Sequence, residues 1–156
     1  MKPPSRGAIR RAGGRPLALL LFTLLLVAPA WAEDTGTPLD LAGRPVSALA
    51  FHPDLVIGFR SVVRGRQSAV YRHLQASGPG LTVRDGRFVY GWTCAGGDCA
   101  RDGLFLGYDS AAEQFFLLLL DGGEPSLTIP PRGAPWPAEL ATPVLDLRPD
   151  LRRRIS

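Results

Sequence analysis

Apolar positions recur along this chain with two periods, and the change from one to the other marks a helix giving way to a sheet. After Pro53, the residues Leu55, Phe59, Val62 and Val63 fall at i, i+4, i+7 and i+8, one face of a helix. About a dozen residues ending at Gly65 are predicted to form it, and its apolar face must lie on another element. That element reads as an antiparallel sheet. Leu81-Thr82-Val83 is followed by Asp85-Gly86, a favoured two-residue hairpin turn, and then by Phe88-Val89-Tyr90-Gly91-Trp92. The next strand is expected from about Gly103 to Tyr108, with Leu104, Leu106 and Tyr108 on one face. Asp109 to Glu113 turns the chain into a last apolar strand, Gln114 to Leu120, buried on both faces or covered by the helix. Left as an edge, that run would be prone to aggregation, and Asp121-Gly122-Gly123 after it reads as a stop. The fold class that follows is α+β: an antiparallel sheet of about four to five strands with an amphipathic helix packed on one face.

The flanks are less patterned. Residues 33–50 carry Gly36, Pro38, Gly43 and Pro45 among small side chains, so they are expected to be a flexible leader. Residues 51–122 form the α+β core of this reading, and 123–156 a segment with Pro125, Pro130, Pro131, Pro135, Pro137, Pro143 and Pro149, where regular structure should be short. Its end, Leu151-Arg152-Arg153-Arg154-Ile155-Ser156, reads as a solvated basic tail.

The first 32 residues change the meaning of the composition. A basic stretch, the apolar run Leu17 to Val27 and Ala30-Trp31-Ala32 have the form of a signal peptide cleaved after Ala32, which implies a periplasmic protein with no membrane span after cleavage. Five of the 18 basic residues, Lys2, Arg6, Arg10, Arg11 and Arg15, lie in that segment, whereas all 14 acids follow it. The remainder therefore carries 13 arginines against 14 acids, a net charge of −1 in place of +4. Nucleic-acid binding loses its electrostatic motive.

Export also governs the two cysteines. Cys94-Ala95-Gly96-Gly97-Asp98-Cys99 lies between two strand-like runs, and in an oxidising compartment a pair this close is expected to close as a disulfide. A ring of about six residues stabilises by roughly 2 kcal/mol in the chain-entropy model, too little to hold a domain together. Its effect is local stiffness, which suits Ala95, Gly96, Gly97 and Asp98 to presentation toward a partner, because part of the ordering cost of binding is removed in advance. The plainer alternative is a hairpin staple with no partner.

Catalytic chemistry finds little support. His52 and His73 share no motif with a nucleophile, no G-x-S-x-G elbow occurs, and a site of two cysteines and two histidines fits no standard zinc spacing. Asp98 and Asp102 flank Cys99 and read as turn residues in preference to an acid-base or calcium pair. Tyr90 and Trp92 share one strand face and read as core in preference to a sugar platform. The expectation is a protein with no enzymatic activity, metal or cofactor.

A helix, a hairpin, Phe88-Val89-Tyr90-Gly91-Trp92-Thr93 running into C-x-x-x-D-C, and two apolar strands together resemble the inhibitor of vertebrate lysozyme (Ivy) family over roughly residues 50–122. The most specific part is CAGGDC, which matches the family's C-K-P-H-D-C loop at Cys94, Asp98 and Cys99. The resemblance implies a periplasmic α+β binding protein whose disulfide-closed loop enters the active-site cleft of a c-type lysozyme and blocks it; another cell-wall hydrolase is the alternative protein partner. Where the family's loop has the histidine that meets the two catalytic carboxylates, this chain has Gly97, and Ala95 and Gly96 replace its lysine and proline. A histidine there can donate to an acid and carboxylate pair, whereas Asp98 alone would bring a third carboxylate toward them. Inhibition is accordingly expected to be weak. The alternative function is an envelope structural or scaffold protein that keeps the fold and has lost inhibition.

Overall fold

In the computed structural model, which describes residues 36–155, the apolar run after Asp109 is an interior strand. Five antiparallel strands lie side by side in chain order: β1 (Thr82–Arg84), β2 (Phe88–Cys94), β3 (Gly103–Asp109), β4 (Gln114–Asp121) and β5 (Glu124–Ile129). Asp85 and Gly86 both take positive φ, 56° and 58°, and Arg87 N–H donates to the Arg84 carbonyl, so the first hairpin is the tight turn that the dipeptide favours. The predicted signal peptide lies outside the described residues. No helix among the described residues is long and apolar enough to cross a membrane.

Side chains alternate across the sheet, and both faces are covered. Val89, Leu104, Leu106, Tyr108, Phe115, Leu117 and Leu119 face one way, under α1 (Val46–Ala50), α2 (Val56–Val62) and α3 (Gln67–Leu74). Tyr90, Trp92, Phe105, Phe116, Leu118 and Leu120 face the other way, under Trp136 and α4 (Ala138–Leu147). The register makes each layer continuous: Leu106 lies opposite Gly91 and Leu117, and Phe105 opposite Trp92 and Leu118. This is why β4 carries apolar residues at every position from Phe115 to Leu120. The α+β expectation stands, as does the core role of Tyr90 and Trp92, with a helical layer on each side of the sheet.

The flexible leader expected at residues 33–50 is corrected over 36–50, residues 33–35 lying outside the described residues. Val46, Leu49 and Ala50 are buried at i, i+3 and i+4, and Gly43 N–H and Leu81 N–H donate to the carbonyls of Leu81 and Arg44 at 2.8 and 2.7 Å. Pro45 precedes the first helical residue, where its fixed φ starts a helix without costing a hydrogen bond. Buried His52 ties the same stretch down, its Nε2 lying 2.9 Å from the Gly36 carbonyl. The helix expected to end at Gly65 is shorter, and a further helix that its spacing does not predict, α3, follows it. Leu55, Phe59 and Val63 are buried as the spacing requires, and Gly65 at φ 82° ends that stretch.

The proline-rich segment is corrected more strongly. Asp121-Gly122-Gly123 is a hairpin turn into β5 and not a stop. Beyond it α4 runs ten residues despite Pro143 in its interior. Proline there removes the donor to the Glu139 carbonyl, at a cost of about 3 kcal/mol against alanine, but Leu140, Ala141 and Val144 bury a continuous stripe against the sheet. The basic tail is docked as well. Leu151 and Ile155, the latter at the end of α5 (Arg152–Ile155), are buried in the second core, and Ile155 accepts a hydrogen bond from Trp136 N–H.

Candidate functional site

β2 and β3 pair as far as Cys94 opposite Gly103, which leaves residues 95–102 as the loop between them. The disulfide joins Cys94 to Cys99, with the Cα atoms 4.4 Å apart. Both cysteines are half-buried against the second core, while Gly96, Gly97 and Asp98 are exposed, so the ring is anchored at its base and free at its apex. Gly96 and Gly97 sit at φ 64° and 84°, in the left-handed region. No atom lies near a Cβ built on either, so the backbone and not crowding selects glycine there.

Asp98 is exposed, but one of its carboxylate oxygens is held by its own loop. Its Oδ1 accepts the N–H groups of Ala100 and Arg101 at 3.0 and 3.2 Å, and its carbonyl accepts Asp102 N–H at 2.9 Å. Asp102 is also occupied, its Oδ1 accepting Gly122 N–H at 2.8 Å and its Oδ2 lying 3.5 Å from Arg101 Nε. These carboxylates brace the loop, Asp98 from within it and Asp102 against the β4–β5 turn. Among the described residues there is no cluster of three or more metal-ligating side chains.

Three outside segments hold the loop's base. Ser77, in the linker after α3, accepts Cys94 N–H at 2.9 Å. The β4–β5 turn donates Gly123 N–H to the Arg101 carbonyl at 2.7 Å, beside the Gly122 bond to Asp102. From the far end of α4, Arg148 Nη1 donates to the carbonyls of Ala100 and Gly123, both at 2.8 Å. None of these supports was found from the sequence. Leu147-Arg148-Pro149-Asp150 reads locally as a loop with an exposed ion pair, and nothing in it signals a carbonyl 48 residues earlier. A groove of about 610 Å³ lies beside the loop, between Gln75 to Gly78 and Cys94, Gly96 and Gly97. A larger one, about 730 Å³, continues from it toward the half-exposed ring of Phe51.

The second histidine of the described chain lies in α3, just before the linker that holds Cys94. His73 is buried and its Nδ1 has no hydrogen-bond partner among the described residues. Burial, with Arg72 adding to it, lowers its pKa below the usual 6.5, against a smaller opposing pull from Asp102 and Asp121. The native state thus binds this proton less readily than the unfolded chain. Its contribution to stability is complete above about pH 6.5 and is lost as pH falls from there through the lowered folded value, at up to about 1.4 kcal/mol per pH unit. Asp109, held below its ordinary 3.8 chiefly by its bidentate bond with Arg87, acts at lower pH, where its contribution is lost as it protonates. The thermal midpoint of the wild type is expected to drop between pH 7 and 5, and His73→Gln to flatten that drop; equal slopes in the two proteins would remove His73 as its source.

A family model described as inhibitor of vertebrate lysozyme (Ivy) matches residues 58–148, from within α2 to Arg148, with the whole of the sheet and the disulfide loop inside the match. No curated protein and no solved structure matches the chain.

Proposed function

The chain belongs to the inhibitor of vertebrate lysozyme (Ivy) family, and from that premise we propose that it is an exported, periplasmic binding protein that presents residues 95–98 to the active-site cleft of a c-type lysozyme. The family consists of inhibitors, and the protein acts by occupying a site, with no chemistry of its own. The observation that carries this reading is the loop's construction. Its apex, Gly96 to Asp98, is exposed, while its base is closed by a disulfide and bonded to Ser77, Gly122, Gly123 and Arg148. A loop ordered before binding loses less entropy on insertion.

The apex also sets the strength. With glycine at 96 and 97 and Asp98 Oδ1 held by the loop's own N–H groups, the apex offers no side-chain donor to a partner. Backbone N–H groups can meet a carboxylate, but they lack the charged donor that gives the stronger bond, and the exposed Asp98 beside them carries a negative charge. The wild type is expected to be retained on an immobilised c-type lysozyme and eluted by salt or free lysozyme. Cys94→Ser/Cys99→Ser, folded by its circular dichroism, is expected to be retained less. No retention of the wild type on any c-type lysozyme would overturn the proposal. The bare apex gives specific support to a second reading, an envelope scaffold that has kept the fold and lost inhibition, and that outcome would favour it.

A further inference from the structure

The disulfide ring ends at Cys99, yet the chain needs residues 100–102 to return to β3. That return limb lies outside the covalent constraint, and it is here that Arg148 reaches. Nη1 spans two carbonyls, Ala100 on the return limb and Gly123 in the β4–β5 turn. Nε and Nη2 grip the Asp150 carboxylate at 2.9 and 2.7 Å. The planar guanidinium fixes these directions together, so the fork on Asp150 orients the donors that hold the loop. Arg148 is itself placed by α4, since its N–H donates to the Val144 carbonyl at 2.8 Å and Val144 is fully buried against the sheet.

We propose that Arg148 is a positioning residue for the disulfide loop, transmitting the docking of α4 to the return limb and so setting the orientation of the apex toward its partner. This rests on the reading of that apex as the partner-binding element. The β4–β5 turn is the middle piece. It donates through Gly122 and Gly123 to Asp102 and Arg101, and accepts from Arg148 at Gly123, so limb, turn and helix end form one hydrogen-bonded cluster. Asp98 braces the limb from inside and Arg148 from outside, and only the second can be removed without touching the loop's own residues.

The test is amide hydrogen exchange in Arg148→Ala, Arg148→Lys and Asp150→Asn, with lysozyme binding measured on the same proteins. Arg148→Ala is expected to speed exchange at the N–H groups of Ala95, Asp102 and Gly123 by about tenfold or more, the worth of one charge-assisted hydrogen bond, with the central strands β3 and β4 unchanged. Binding should weaken about tenfold on the same basis. Arg148→Lys keeps a charged donor without the fork and should lie between, while Asp150→Asn frees the guanidinium and shifts exchange in the same direction even if Arg148→Ala fails to fold. Loop exchange within twofold of wild type in the folded variants, or a rise shared equally by β3 and β4, overturns the proposal. Faster loop exchange with unchanged lysozyme binding overturns the role in recognition. A wild type that binds no lysozyme refutes the functional reading instead, and the exchange data then decide alone whether Arg148 orders the loop.

Discussion

Phe59→Ala is expected to destabilise the domain by about 3 to 5 kcal/mol, which for a domain of this size lowers the thermal midpoint by roughly 10 to 20 °C. Phe59 has no exposed surface and lies between two other rings, edge-on to Phe115 of β4 with centroids 5.5 Å apart and tilted against Tyr71 of α3 at 6.4 Å. It therefore joins α2 to both the sheet and the neighbouring helix. Truncation removes transfer energy and leaves a cavity that the surrounding Leu55, Val63 and Val70 can fill only by moving their helices. Thermal unfolding followed by circular dichroism measures it; a midpoint within a degree of wild type would show that α2 contributes nothing to the core.

The largest functional effect is expected from rebuilding the loop apex. In a turbidity assay on cell walls the wild type is expected to inhibit a c-type lysozyme weakly or not at all. Gly97→His supplies a donor that can pair with the cleft's acids, and a charge-assisted hydrogen bond is worth about 1.5 to 3 kcal/mol. Position 97 lies at φ 84°, however, and a side chain held there costs about 1 to 2 kcal/mol, so the single change should gain at most about thirtyfold in the inhibition constant. Gly96 at φ 64° is closed to proline, whose ring fixes φ near −65°. The full family loop, Ala95→Lys with Gly96→Pro and Gly97→His, must therefore adopt a different path between the same two cysteines. It is expected to escape the left-handed penalty and gain roughly ten- to a hundredfold. Nanomolar inhibition by the wild type would show that no side chain is needed at the apex. No gain in a folded triple variant would show that the rest of the lysozyme-facing surface has diverged too.

Features that depend on neighbours a few residues apart are legible in the chain alone. The Asp85-Gly86 hairpin was legible because a two-residue turn needs positive φ at both positions, a local demand met by local residues. The same holds for the shared face of Leu104, Leu106 and Tyr108, and for the closure of Cys94 on Cys99. The family likeness was legible in the same stretch.

Tertiary structure alone decided the rest. Val46, Leu49 and Ala50 look like residues of a leader until the sheet is there to bury them, and a few apolar side chains after Gly43 and Pro45 do not make a stable helix in water. The prolines of the last third argue locally against regular structure, yet Leu140, Val144, Leu151 and Ile155 cover the open face of a sheet whose strands lie up to six dozen residues earlier, and burial there outweighs the lost backbone bond at Pro143. Arg148 follows the same logic, since its partners Ala100 and Gly123 come within reach only after α4 has docked. Local chemistry thus specified the loop, and long-range burial specified what holds it.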